Sequence, residues 1–101
     1  MIKVRLDLTD WTAPTPELTA SNGKKAVTVE LGSPATIHDL FVAMAVKYPA
    51  LLRDIYNIEN RQINERINIF INGEFIIPAN ITRRKLNDGD MLTLLPVLAG
   101  G

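Results

Sequence analysis

Apolar and polar residues alternate from the start of the chain. Ile2, Val4, Leu6 and Leu8 are separated by Lys3, Arg5 and Asp7. This period of two predicts a half-buried strand, because successive side chains of a strand point to opposite faces. Val27, Val29 and Leu31, separated by Thr28 and Glu30, predict a second. The period then changes. Ile37, Leu40, Phe41, Met44, Ala45 and Tyr48 recur at three- and four-residue steps, which makes one continuous apolar stripe on a helix. Thr36 can cap the free amides of that helix. Asp39, three residues on, completes a capping box with a carboxylate near the positive helix end. Pro49 disfavours helical geometry at Tyr48, so the spacing predicts a helix from about Thr36 to Tyr48. Leu51, Leu52, Ile55 and Tyr56 suggest a further short helical segment.

The second half returns to alternation. Ile67, Ile69 and Ile71 are interleaved with Asn68 and Phe70. Asn72-Gly73 is the preferred dipeptide of a two-residue hairpin turn, with Phe75-Ile76-Ile77 as the return strand. Pro78 limits that strand to a sheet edge. Asn87-Asp88-Gly89-Asp90 is a tight turn. Met91 to Val97 is a last strand, apolar at nearly every position, which predicts a central strand covered on both faces. Two polar stretches interrupt the pattern. In Thr9 to Lys25, Trp11 is expected to pin a long loop to the core edge, and Asn22-Gly23 to tighten a hairpin inside it. In Asn57 to Glu65, Ile58 and Ile63 are the expected anchors. The order is two strands, a helix, then three strands. A single helix must cover one sheet face, so the fold class is α+β in two layers.

Composition narrows the function classes. The 101 residues suit one domain, expected over 1–96, with 97–101 as a flexible tail. Eleven basic and eleven acidic side chains cancel, so no global field points to nucleic acid or a membrane surface. Apolar runs are only a few residues, far below the ~20 of a membrane span. The alternating start lacks a signal-peptide core, and the expectation is a cytoplasmic protein. There is no cysteine, hence no thiolate nucleophile or thiolate metal site. His38 is the single histidine, beside the helix start, where exposure is expected. One imidazole does not build a metal site, and no Gly-rich phosphate loop is present. Arg83-Arg84-Lys85 reads as a solvated basic surface. The chemistry of this chain is expected to be done on it rather than by it.

The end of the chain supplies a candidate. It closes on Leu94-Leu95-Pro96-Val97-Leu98-Ala99-Gly100-Gly101. Glycine leaves the backbone nearly unrestricted and presents no Cβ, so a diglycine carboxylate can be threaded into a narrow active site. The plain alternative is a frayed terminus. Five extended residues, Val97 to Gly101, span roughly 17 Å. If Leu92 and Leu94 point inward, Thr93, Leu95 and Val97 fall on the other sheet face. Leu95, Pro96 and Val97 are then the expected partner-binding residues. The alternative is that the Trp11 loop buries this face.

Leu86, Gly89-Asp90, Leu92, Leu94, Pro96 and Gly100-Gly101, in this order of elements, resemble the ubiquitin-like sulfur-carrier family of the MoaD/ThiS type. Within it, the run from Leu95 to Gly101 is most similar to the molybdopterin synthase small subunit. The resemblance implies a β-grasp fold, with four to five strands in a mixed sheet and one main helix on one face. It implies that an activating enzyme adenylates Gly101 with ATP, which is used by that enzyme and not bound here. The adenylate is then converted to a thiocarboxylate, with Gly100, Ala99 and Leu98 as the tail that reaches the site. A downstream acceptor, such as a synthase large subunit, is the second implied partner, and the free chain is expected to be a monomer. No cofactor and no metal is implied. Conjugation of Gly101 to a lysine, and an interaction module without tail chemistry, remain as alternatives. Thr9–Lys25 and Asn57–Arg66 are longer than in the compact members of the family.

Overall fold

The structure, a computed structural model, describes residues 1–8 and 26–96. The Trp11 loop with Asn22-Gly23, and the tail from Val97 to Gly101, lie outside the described residues. Strand β1 (Ile2–Asp7) pairs antiparallel with β2 (Ala26–Leu31), from Ile2 opposite Leu31 to Asp7 opposite Ala26. Helix α1 (Ile37–Lys47) opens with the expected box. The Asp39 amide donates to Thr36 Oγ1 at 3.3 Å, and the Thr36 amide donates to the Asp39 carboxylate at 2.8 Å. The Tyr48 amide still reaches the Met44 carbonyl at 2.7 Å, and a second helix, α2 (Pro49–Ile55), begins at the proline. Proline suits that first position because its missing N–H has no partner there anyway.

The rest of the chain forms β3 (Tyr56–Asn57), β4 (Gln62–Ile63), β5 (Ile67–Ile71), β6 (Glu74–Ile76), a 3₁₀ turn (Pro78–Asn80) and β7 (Met91–Pro96). Five strands make one sheet in the order β2-β1-β7-β5-β6. β7 lies parallel to β1 and antiparallel to β5, so the sheet is mixed. Asn72 and Gly73 join β5 to β6 with φ of 51° and 86°. Both values lie in the left-handed region that a two-residue hairpin requires. Ile37, Leu40, Phe41 and Met44 of α1 are buried over the sheet, with Ile69, Ile71, Leu92 and Leu94 buried beneath them.

Three expectations change. β7 is central but is not covered on both faces. Leu92 and Leu94 are fully buried, whereas Met91 is 39% exposed and Thr93 and Leu95 are half-buried. Both helices sit with the core, and among the described residues no helix or strand covers the opposite face. The return strand ends at Ile76, because Pro78 opens the 3₁₀ turn and Ile77 leads into it. The polar stretch after Asn57 contains a small hairpin, β3 with β4, turned at Arg61 with φ of 57°. Strands of two residues are too short to show a period. Ile58 and Ile63 pack against the core as anchors.

The turn before β7 is a clasp between three parts of the fold. Asp88 accepts the Lys3 amide at 2.8 Å, and the Gly89 amide donates to the Lys3 carbonyl at 2.8 Å. The buried Asp90 carboxylate accepts the Asn87 amide at 2.7 Å and Asn72 Nδ2 at 2.9 Å. Asn72 Oδ1 in turn accepts the Met91 amide at 2.9 Å. Asp90→Ala removes the acceptor of two part-buried hydrogen bonds to a carboxylate, each worth about 1.5–3 kcal/mol at most. Urea unfolding of Asp90→Ala should show a loss of about 2–4 kcal/mol; wild-type stability would contradict this account of the turn.

Candidate functional site

β7 leads from this clasp toward the tail. Its last pairing sets Pro96 opposite Ile67, five residues before the end of the sequence. Leu95 lies opposite Asn68, on the face away from the helices, as the alternation predicts. Val97, Leu98, Ala99, Gly100 and Gly101 lie outside the described residues.

Leu95 does not stand alone. Register puts Thr93 beside Phe70, and Phe70 beside Phe75, on the same face. The two phenyl rings meet edge to face, with centroids 5.7 Å apart. Phe75 is 50% exposed. Met91 of β7 lies opposite Arg5 of β1, and Thr93 opposite Asp7. Over β7, β5 and β6 the face carries Met91, Leu95, Phe70 and Phe75 with Thr93 and Asn68 among them, and β1 presents Lys3, Arg5 and Asp7 beside it. Contiguous apolar surface rimmed by charge marks an interaction site. Phe70, Phe75 and Met91 were absent from the expected docking residues. The signal for the first two was in the sequence: Phe70 alternates with the core residues Ile69 and Ile71, and a two-residue turn at Asn72-Gly73 pairs it with Phe75.

His38 is not the exposed residue expected. It is half-buried, and its Nδ1 lies 2.7 Å from the Tyr56 hydroxyl. Burial holds the Tyr56 hydroxyl above its ordinary pKa, and Arg61 partly opposes this. Tyr56 also packs on Phe41, with centroids 4.8 Å apart. The pair fastens the start of β3 to α1. Of the basic run, Arg84 pairs with Glu74 at 3.4 Å on the surface. Among the described residues no three His, Cys, Asp or Glu side chains gather to hold a metal ion. No described helix is long and apolar enough to cross a membrane.

The model of the ThiS family matches residues 17–101, from ahead of β2 through the diglycine. The chain belongs to the ThiS family. It is 25% identical over 79 residues to small archaeal modifier protein 3 of Haloferax volcanii, covering 78% of this chain and 84% of that protein. The crystal structure of SAMP1 from Haloferax volcanii superposes with a TM-score of 0.70 at 25% identity, over 98% of this chain and 99% of that one. A putative molybdopterin converting factor subunit 1 from Pyrococcus furiosus gives 0.65 at 19% identity, over 97% and 100%. That last likeness is one of fold. The fold is the ubiquitin-like β-grasp; among the described residues two helices lie with the core on one face, of which α1 is the main one. ThiS-family proteins are small ubiquitin-like carriers and modifiers, not catalysts.

Proposed function

We propose that this ThiS-family protein is a sulfur carrier whose reactive group is the Gly101 carboxylate. The observation that carries the reading is the family match running through Gly100-Gly101. A carboxylate is a poor electrophile because resonance spreads its charge. A Gly101 carboxylate oxygen attacks the α-phosphate of ATP in the active site of a partner enzyme, and pyrophosphate leaves. Sulfur at the sulfide level, as hydrosulfide, then attacks the acyl carbon and AMP leaves, so the product is a thiocarboxylate whose sulfur is more nucleophilic than the oxygen it replaced. The chain lacks cysteine, so the carried sulfur has no other covalent site on it. A downstream enzyme, such as a synthase large subunit, takes the sulfur, and the pterin precursor of molybdopterin is the acceptor that the tail's resemblance favours. The work takes place in the cytoplasm, with the free carrier a monomer.

The relatives named as modifiers favour a second reading, in which the same activated Gly101 passes to a lysine amine. Mass spectrometry of the protein recovered from cells separates the two. An oxygen-to-sulfur exchange at the C-terminus supports carriage, and an isopeptide between Gly101 and lysine supports conjugation.

Both readings require an enzyme to grip the body while the tail enters its site; Leu95, half-buried on the outer face near the end of β7, supports a grip at Leu95, Pro96 and Val97, which immediately precede Leu98 to Gly101 in the sequence. Leu95→Asp is expected to weaken binding to the activating enzyme by about tenfold or more, as the loss of a desolvated anchor does. Its melting temperature should stay near that of the parent chain. Unfolding of the isolated Leu95→Asp domain would make this residue core and overturn the docking role.

A further inference from the structure

The clasp before β7 also bears on a covalent change. An Asn-Gly step can lose its side-chain amide to water. The Gly73 backbone nitrogen gives up its proton to solvent and attacks Asn72 Cγ, and the Cγ–Nδ2 bond breaks as ammonia leaves. Water then opens the cyclic imide at either carbonyl, which leaves an aspartate or its iso-aspartyl isomer. Glycine obstructs this closure least, because it has no Cβ. Asn72 and Gly73 are both exposed, so water reaches them. A Cβ built on Gly73 would meet nothing within 4 Å, so no neighbour crowds the turn. The side chain is held by its hydrogen bonds. Asn72 Nδ2 donates to Asp90 Oδ1, and Asn72 Oδ1 accepts the Met91 amide, each at 2.9 Å. The Asn72 amide donates to the Met91 carbonyl, also at 2.9 Å, and fixes the backbone at the same point. Both polar ends of the side chain are therefore engaged at the start of β7. Both of those bonds must open before Cγ can swing over the Gly73 nitrogen.

We propose that Asn72 is a modification site of this protein, at which water converts the amide to a carboxylate whenever the clasp to Asp90 and Met91 opens. The product does not fit the closed clasp. A carboxylate at position 72 has no proton to donate, and it faces the Asp90 carboxylate, which is only 6% exposed. Like charges in that place repel, so the β5–β6 turn parts from the start of β7. Ile71 pairs with Glu74 at the turn, and the Phe70–Phe75 pair of the outer face comes next. The change therefore reaches that face through the backbone. Ammonia is lost, so the conversion runs one way, and the converted fraction records the time that the clasp has spent open. The proposal rests on the clasp and not on the chemistry of Gly101.

The test follows the full chain at neutral pH, folded in buffer and unfolded in urea. The tryptic fragment Ile67–Arg83, in which Asn72-Gly73 is the one Asn-Gly step, is weighed after digestion. Conversion of Asn72 should be about tenfold or more slower in the folded chain, since two hydrogen bonds must break first. Asp90→Ala should speed the folded reaction about fivefold or more. It should do so further than Leu40→Ala, which weakens the core without touching the clasp. Asn72→Asp keeps a residue type that tolerates the left-handed turn. It should lower the melting temperature by about 5–10 °C. Adding Asp90→Asn restores a donor between the two positions and should recover most of that loss. Equal conversion in folded and unfolded chains would overturn the proposal. So would an effect of Asp90→Ala no larger than that of Leu40→Ala, or no recovery of Asn72→Asp by Asp90→Asn. A chain lacking Gly100-Gly101 should convert at the parent rate, so failure of the carrier reading and failure of this proposal are told apart.

Discussion

A chain lacking Gly100 and Gly101 is expected to melt with the full chain and to support no ATP–pyrophosphate exchange by its activating enzyme. The described pairings of β7 with β1 and β5 run from Met91 to Pro96, ahead of the two residues removed. On the carrier reading proposed above, the reacting carboxylate is lost from its place, and two residues of reach go with it, about 7 Å of extended chain. Gly101→Ala is the finer probe. It keeps the length and puts one methyl beside the carbon to be activated. A misplacement on the scale of 1 Å costs about 10²-fold in rate, and a drop of that order is expected with no change in melting temperature. Gly100→Ala should have a smaller effect, through clearance alone. Full exchange activity in the truncated chain would reduce the protein to a binding module.

Leu40→Ala is expected to cost about 2–5 kcal/mol, the range for a buried leucine cut back to alanine. Leu40 has no exposed surface. It lies in the α1 stripe with Ile37, Phe41 and Met44, above strands held in a fixed ladder, so little can move in to fill the space. In a domain of this size each kcal/mol lowers the melting temperature by about 4–8 °C. Val46, on the same helix but 83% exposed, is the control, and Val46→Ala should stay within about 0.5 kcal/mol of the parent. A loss below 1 kcal/mol for Leu40→Ala, measured by urea or heat, would mean that α1 does not seal the sheet.

Legibility in the sequence followed the range of the interactions. The helix could be read because its stripe and its Thr36–Asp39 box are satisfied within a few residues. The hairpin at Asn72-Gly73 could be read because its turn demands a left-handed backbone that few residue pairs supply. How far the outer face of β7 is covered does not follow from β7 alone. Met91, Leu95 and their neighbours are as apolar as covered residues, and whether anything covers them is decided by elements distant in the chain. The same holds for Asp90. Asp88-Gly89-Asp90 reads as a turn, but the carboxylate is buried because Asn72, eighteen residues earlier, comes to meet it. His38 was misread for the same reason, since its partner Tyr56 is also eighteen residues away. For the site, Leu95 was legible through alternation, whereas the Phe70–Phe75 pair required the hairpin register to be carried across to the other face.

The parallel pairing of β1 and β7 has a mechanical consequence. A pull on the tail is directed along β7, and β7 is laced on one side to β1 and on the other to β5. Force applied along a strand loads both ladders in shear, so their hydrogen bonds carry it together and do not open one after another. The far end of β7 is tethered as well, by the Asn72 amide to the Met91 carbonyl and by Arg5 to the Asp90 carbonyl, each at 2.9 Å. A hairpin margin such as β6 would peel bond by bond under the same load. The residues beyond Pro96 can therefore be pulled taut and released without unravelling the strands that precede them.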